Sequence, residues 1–112
     1  MIRCFDSNIL IYAIDSRGDA RHRVAASALA RAIRDRAAVV PLQALGEFYH
    51  VTTRKLGLAR ATARRFVDGW RRTTRVEPYG EDDLGAAMRA CEDHGLGFWD
   101  ALIWAVAERT GA

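Results

Sequence analysis

Short apolar runs alternate with longer amphipathic segments along the chain, which is the pattern of an α/β domain. The first run, Ile2–Phe5, stops at the polar triplet Asp6-Ser7-Asn8 and resumes as Ile9–Tyr12. We therefore predict a buried parallel strand that leads into a short helix, with the polar triplet at the carboxyl end of the strand. Ligands of open α/β sheets bind in the crevice beyond that end.

The rest of the chain predicts further helices and strands in alternation. Apolar residues recur at three- to four-residue spacing in four segments, which are 20–36, 41–55, 59–75 and 81–94. Short runs at Ala37–Val40 and Val76–Tyr79 are predicted as strands. Residues 101–107 are apolar on every side, so we expect a last helix that is buried all round.

Composition places the chain among small globular proteins. It has 112 residues, 50% of them hydrophobic, which is enough for one domain with a core. No apolar run reaches the roughly 18 residues that a membrane span needs, and Asp6 interrupts any secretory signal. Cys4 and Cys91 are isolated and lack metal-ligand spacing, which favours a reduced, cytoplasmic protein.

The net charge of +3 permits a nucleic-acid partner without requiring one. Lys55 is the one lysine among 17 basic residues; this arginine preference suits phosphate recognition, but GC-rich coding explains it as well. Arg60, Arg64 and Arg71 align on one side of the predicted helix 59–75. That side is either a phosphate-contacting surface or an ordinary solvated face.

Three carboxylates occupy places from which a ligand can be bound. Asp6 follows the first strand, Glu47 lies on the polar stripe of helix 41–55, and Asp100 opens the last helix. Each has a structural alternative, because Asp6 or Ser7 and Asp100 are good helix N-caps and Glu47 suits a solvated face. Clustered carboxylates repel one another until a cation neutralises them, and Mg²⁺ and Mn²⁺ prefer such oxygen ligands. Phosphodiester hydrolysis is the chemistry that uses such sites.

Three motifs, in this order and spacing, resemble the PIN domain family, and particularly the VapC-like toxins of bacterial VapBC toxin–antitoxin pairs. They are Phe5-Asp6-Ser7-Asn8, Leu45-Gly46-Glu47-Phe48 and Trp99-Asp100-Ala101-Leu102-Ile103. The resemblance implies an α/β/α sandwich around a parallel sheet and a ribonuclease that depends on Mg²⁺ or Mn²⁺. It also implies RNA as substrate and an antitoxin that occludes the site.

The same resemblance assigns roles to individual residues. Asp6, Glu47 and Asp100 match the acidic metal ligands, and Ser7 and Asn8 match the supporting polar positions. We expect the three carboxylates to converge around one cation.

The chain also departs from the family pattern. PIN domains usually continue into a strand that ends in a Thr-x-Asp-like segment and supplies a fourth acid, whereas this sequence stops at Gly111-Ala112. We therefore expect a single PIN-like domain over residues 1–112 that lacks its last strand. The first strand is then expected at an open edge, covered by a second copy in a homodimer or higher assembly, by the antitoxin or by further residues.

Two other functions remain as alternatives. The missing fourth acid favours a catalytically weak PIN-like module that binds an antitoxin or RNA. A phosphatase of the haloacid dehalogenase type also places an Asp after its first strand, but such enzymes carry Asp-x-Asp where this chain has Asp6-Ser7-Asn8.

Overall fold

Three short strands and six α-helices make up the protein, whose structure is a computed structural model describing every residue from Met1 to Ala112. The elements follow one another as β1 (Arg3–Cys4), α1 (Ser7–Ile14), α2 (Ala20–Arg34), β2 (Ala38–Pro41), α3 (Leu42–Arg54), α4 (Arg60–Thr73), β3 (Arg75–Glu77), α5 (Glu81–His94) and α6 (Phe98–Arg109). A 3₁₀ turn at Ser16–Gly18 connects α1 to α2.

The sheet is parallel, as predicted, in the order β1-β2-β3. Arg3 lies opposite Ala38, and Val39 lies opposite Arg75. The Phe5 amide continues the first pairing by donating to the Val39 carbonyl at 3.0 Å. β1 pairs only with β2, so the expected edge position of the first strand is confirmed.

β2 shows how helices come to cover both faces of this sheet. Ala38 and Val40 belong to the main hydrophobic core with residues of α1–α4. Successive strand residues point to opposite faces, so Val39 points away from that core. Val39 is nevertheless 2% exposed, and α6 is the helix of the α5–α6 pair that contacts β2. The α/β/α arrangement around a parallel sheet is therefore confirmed.

The main core contains the large side chains of the protein. Phe48 of α3 is fully buried, and its ring meets the ring of Trp70 edge-on at 4.8 Å between centroids. Phe66 stacks on Trp70 at 5.8 Å. Edge-on and offset aromatic pairs of this kind add to the stabilisation that burial supplies.

The last helix differs from its prediction in two ways. It begins at Phe98, so Asp100 lies within its first turn and not at its N-cap, which is Gly97. The expectation of burial on all sides is wrong, because Trp104 is 45% exposed. α6 packs against α5 and β2 and leaves the rest of its surface to solvent. No helix of the protein is both long and apolar enough to cross a membrane.

Candidate functional site

The junction between β1 and α1 places Asp6 as the N-cap of the helix. Its Oδ1 accepts a hydrogen bond from the Ile9 amide at 3.0 Å, which satisfies a donor that the first helical turn leaves unpaired. The capping role of Asp6 is therefore real. Oδ2 has no hydrogen-bond partner within the chain, so capping leaves half of the carboxylate available to a ligand.

Ser7, the next residue, connects this junction to α3. Its Oγ donates to Glu47 Oε2 at 2.9 Å across 40 residues of sequence. From the preceding turn of α3, Gln43 Nε2 donates to the other oxygen, Oε1, at 2.9 Å. Glu47 is half-buried and its carboxylate is held from two sides by neutral donors. The two bonds restrain its orientation, and neither donor is a cation.

The third predicted ligand, Asp100, lies in the first turn of α6 with an exposed side chain. Its Oδ2 bends back over the start of its own helix, 3.8 Å from the position that a Cβ on Gly97 would take. The carboxylate makes no hydrogen bond with the rest of the chain. The positive end of the α6 helix dipole lies next to this carboxylate and stabilises its negative charge.

None of the three predicted carboxylates takes part in an ion pair, although the chain has 17 Lys and Arg residues. The half-buried Glu77 and the buried Asp83 differ, because both bind Arg109. Burial and then the negative charge of Asp6 raise the pKa of the Cys4 thiol to about 11. The β1–α1 junction therefore carries negative charge that no basic side chain of this protein neutralises.

A shallow cleft lies beside Glu47 and joins α3 to the start of α6. Its lining consists of Gln43, Gly46, Glu47, His50, Val51 and Trp99. Trp99 directly precedes Asp100, so the cleft brings the segment that carries the third carboxylate alongside Glu47. The sequence predicts Trp99 only as part of a motif and not as a site residue. Its position next to Asp100 at the start of a helix was the signal that could have identified it.

The structure does not bring the three carboxylates into one ligand group. No three Asp, Glu, His or Cys side chains lie close enough together to hold a metal ion, so the convergence of Asp6, Glu47 and Asp100 stays a prediction. The donor chemistry nevertheless fits a hard cation, since Mg²⁺ commonly takes one or two carboxylates and completes its shell with water. Gln43 Oε1 adds a buried oxygen that has no hydrogen-bond partner.

The remaining predicted residues lie at the surface. Asn8 is exposed in the first turn of α1 and its side chain makes no hydrogen bond. Arg60, Arg64 and Arg71 are exposed on α4. Arg64 and Arg71 both pair with Asp68, at 3.5 and 3.3 Å, while Arg60 has no acidic partner.

Comparisons with known proteins agree with this architecture. The family model described as PIN domain matches residues 3–112. Among solved structures, the crystal structure of Mycobacterium tuberculosis VapC20, described as a Sarcin-Ricin loop cleaving toxin, superposes with a TM-score of 0.73 at 23% identity. That match covers 96% of this chain and 82% of the VapC20 chain. No curated protein sequence matches the chain. Because the family match spans nearly every residue, from β1 through α6, the chain belongs to the PIN domain family.

Proposed function

We propose that this PIN domain is a metal-dependent endoribonuclease of the VapC toxin type, which hydrolyses RNA phosphodiester bonds. The observation that carries the proposal is the state of Glu47, a half-buried carboxylate held by Ser7 and Gln43 with no cationic partner. Burying a charge costs free energy unless the charge is paired or bound to a metal, so an acid with a purely structural role at this depth would be expected to have a basic partner. A carboxylate oriented by neutral donors instead keeps its charge for a ligand.

Asp6 and Glu47 would hold the ion, with Asp100 as the third ligand from α6. Bound Mg²⁺ or Mn²⁺ supplies polarisation of a phosphoryl oxygen and a bound water of lowered pKa. Ser7 and Gln43 orient the Glu47 carboxylate, because each donates to one of its two oxygens. The cap bond from the Ile9 amide holds Asp6 Oδ1, and Oδ2, which has no hydrogen-bond partner in the chain, would bind the ion. Such preorganised supporting bonds conserve the geometry of a metal ligand.

The proposed function implies two partners, an RNA substrate and a cognate antitoxin. We also propose that the protein works in the cytoplasm, as a homodimer or higher assembly. VapC20 is described as a Sarcin-Ricin loop cleaving toxin, and the shared fold makes structured RNA a reasonable first substrate to test. The exposed arginines of α4 would add phosphate affinity without reading sequence.

A PIN-type module that binds RNA or an antitoxin without efficient cleavage is the competing function. One observation favours it, namely that the three carboxylates do not form a ready ligand group. RNA cleavage in Mg²⁺ or Mn²⁺ separates the two proposals.

The test compares the wild type with Glu47→Gln and with the matched control Glu108→Gln. Glu108 is an exposed acid of α6 without a hydrogen bond or ion pair. We expect Glu47→Gln to lower the cleavage rate by at least about 100-fold, because loss of a metal ligand should cost more than the roughly 10- to 100-fold that loss of a supporting residue costs. Glu108→Gln should cleave as the wild type does. A folded wild type that binds RNA but leaves it intact in both metals would establish the binding module instead.

A further inference from the structure

Trp99 is the most exposed aromatic residue of the chain, at 59%. Its ring is held from one side by Phe98, edge-on at 4.8 Å between centroids and 74° between planes. Both residues lie in the first turn of α6, the segment that also carries Asp100. A large aromatic surface is thus oriented by a neighbour and still open to solvent next to a carboxylate of the proposed site.

The cleft in front of Trp99 is a shallow depression that is open to solvent. It measures about 420 Å³ and is lined on the α3 side by Gln43, Gly46, Glu47, His50 and Val51. A Cβ added to Gly46 would meet no atom within 4 Å, so the helix surface there is open. Sites for drug-sized molecules are about 300–1,000 Å³, whereas an interface for a folded protein spreads over a much larger area.

The cleft lining combines apolar and polar surface. Trp99 and Val51 offer apolar surface, whereas Glu47 offers the carboxylate of the proposed metal site and His50 an imidazole. A matching ligand would have a flat apolar face with polar edges. It would also carry an anionic group close to the proposed metal site. A nucleotide combines a stacking base and a phosphate in this way.

We propose that Trp99 is a stacking platform for the nucleobase adjoining the scissile phosphate. The inference rests on the proposed ribonuclease function. Bases stacked inside a duplex cannot reach an aromatic side chain, whereas those of loops and single strands can. His50, across the cleft, is placed to hydrogen-bond the edge of the stacked base.

Binding is measured in the Asp6→Asn background with Mg²⁺, since this change removes a charge needed for cleavage while asparagine still caps α1. The probes are short fluorescein-labelled single-stranded RNAs, oligo(U) and oligo(A). The variants are Trp99→Leu, Trp99→Phe and the control Trp104→Leu. Trp104 is a 45% exposed residue of the same helix that does not line the cleft.

We expect Trp99→Leu to weaken RNA binding by about 5- to 150-fold, the range of losses when a base-stacking aromatic is removed. Trp99→Phe should retain most of the affinity, because it keeps an aromatic face, and Trp104→Leu all of it. Oligo(U) should quench the intrinsic tryptophan emission of the Trp104→Leu control. Most of that quenching should disappear in Trp99→Phe.

An abasic nucleotide beside the cleavage position, mapped with active protein, tests the stacking contact itself. The abasic RNA should bind the Asp6→Asn protein as weakly as intact RNA binds the protein that also carries Trp99→Leu. In that second protein the abasic nucleotide should cause little further loss of affinity. An undiminished abasic penalty in Trp99→Leu, or binding equal to that of the Trp104→Leu control, would overturn the role of Trp99.

The wild type separates this failure from failure of the proposed function. If wild type cleaves these RNAs and Trp99→Leu cleaves them equally, the stacking proposal fails and the ribonuclease stands. If wild type neither binds nor cleaves them, both fail. If Trp99→Leu keeps RNA affinity but no longer binds the antitoxin, Trp99 belongs to a protein interface and the stacking proposal is overturned.

Discussion

The two faces of the sheet are packed in different ways. On one face, α1–α4 surround Phe48, Trp70 and other large side chains in a core of ten buried residues. On the other face, α5 and α6 enclose a cluster of four buried residues, Ala87, Ala90, Ala101 and Leu102. Burial of apolar area is the main source of stability, so the α5–α6 pair draws less from packing than the α1–α4 side does.

Electrostatic contacts support the end of the α5–α6 pair instead. Asp83 of α5 is 4% exposed and accepts from Arg109 Nε at 3.0 Å and from the Gly80 amide at 2.9 Å. Arg109 also donates to Glu77 and to the Pro78 carbonyl. These bonds tie the last helix to β3 and to the start of α5.

The candidate site contains residues from both faces of the sheet, and its two halves therefore differ in how firmly packing holds them. Glu47 and Ser7 lie on the α1–α4 side and are already bonded to each other. Asp100 and Trp99 lie on the α5–α6 pair, and the Asp100 side chain has no bonding partner. One half of the site is therefore set by the fold, and the position of the other half depends on the α5–α6 pair, which has the smaller buried cluster.

Phe48→Ala should have the largest effect on stability. It removes a fully buried ring from the contact with Trp70 and leaves a cavity, so we expect a loss of about 3–5 kcal/mol in the free energy of unfolding. Tyr49→Ala is the matched control on the same helix, since Tyr49 is 38% exposed. Urea denaturation measures both. Equal losses would mean that the α1–α4 core is not the main source of stability.

Mn²⁺ should stabilise the wild type if the two halves of the site share an ion. Linkage gives about 2.7 kcal/mol when the ion is at 100 times its Kd, provided that it binds the folded state alone. Asp100→Asn should remove most of the rise in Tm, and hydrogen exchange in α5–α6 should slow with metal in the wild type. The control Glu108→Gln should respond as the wild type does. An equal rise in Asp100→Asn would place the ion elsewhere.

Asp6 allows its capping and ligand roles to be separated. Asp6→Ala should lower the free energy of unfolding by about 1 kcal/mol, because the Ile9 amide loses its acceptor, and Asp6→Asn should be nearly neutral. Both should abolish RNA cleavage, since neither carries the charge. Thermal melts and cleavage assays on the two proteins are sufficient. Cleavage by Asp6→Asn at the wild-type rate would leave Asp6 as a cap alone.

Acid should loosen the α5–α6 pair before the α1–α4 core. The hydrogen bond from Arg109 holds the pKa of Asp83 below its ordinary value of 3.8, with the Gly80 amide adding to the effect. A carboxyl with a lowered folded pKa stabilises the protein above its ordinary pKa, and this contribution is lost as pH falls through the folded value. We therefore expect α5–α6 to lose hydrogen-exchange protection below about pH 4.

Arg109→Gln should remove much of that pH dependence, because the main cause of the shift is gone. Arg89→Gln, an exposed arginine of α5 without an ion pair, is the control and should behave as the wild type does. Uniform loss of protection over both faces in acid would contradict the distinction between them.

The smallest effect is expected at the surface of α4. Replacing Arg60, Arg64 and Arg71 by Gln should leave stability almost unchanged, since exposed ion pairs contribute little. The slope of log affinity against log salt concentration for RNA binding should become shallower, by the amount expected for up to about three phosphate contacts. Arg23, Arg31 and Arg34, replaced together on α2, form the matched control. An unchanged slope would assign the α4 face to solvent.

Much of this molecule follows from local pattern. The run Ile2–Phe5 followed by Asp6-Ser7-Asn8 predicts a buried parallel strand that leads into a helix, and the parallel pairing of β1, the start of α1 and the Asp6 cap bond agree. The predicted burial of this strand is wrong, because β1 lies at the sheet edge with Arg3 exposed and Cys4 half-buried. The bounds of the predicted helix 81–94 coincide with those of α5. Periodicity and capping chemistry act over a few residues, so they can be read directly from sequence.

Contacts between distant segments were decided by the tertiary structure. The exposure of Trp104 depends on how much of α6 is covered by α5 and β2, which residues 101–107 do not encode. The pairing of Arg64 and Arg71 with Asp68 is local by contrast, because these residues stand at i,i+4 and i,i+3 spacing on α4.

The candidate site divides along the same line. The residue types of Asp6, Glu47 and Asp100 and their order in three motifs were determined by the sequence alone, because carboxylate chemistry belongs to the side chain itself. The bond from Ser7 to Glu47 and the cleft between α3 and Trp99 were decided only by tertiary structure. They join residues 40 to 56 positions apart, which meet because the chain buries apolar surface on both faces of one sheet.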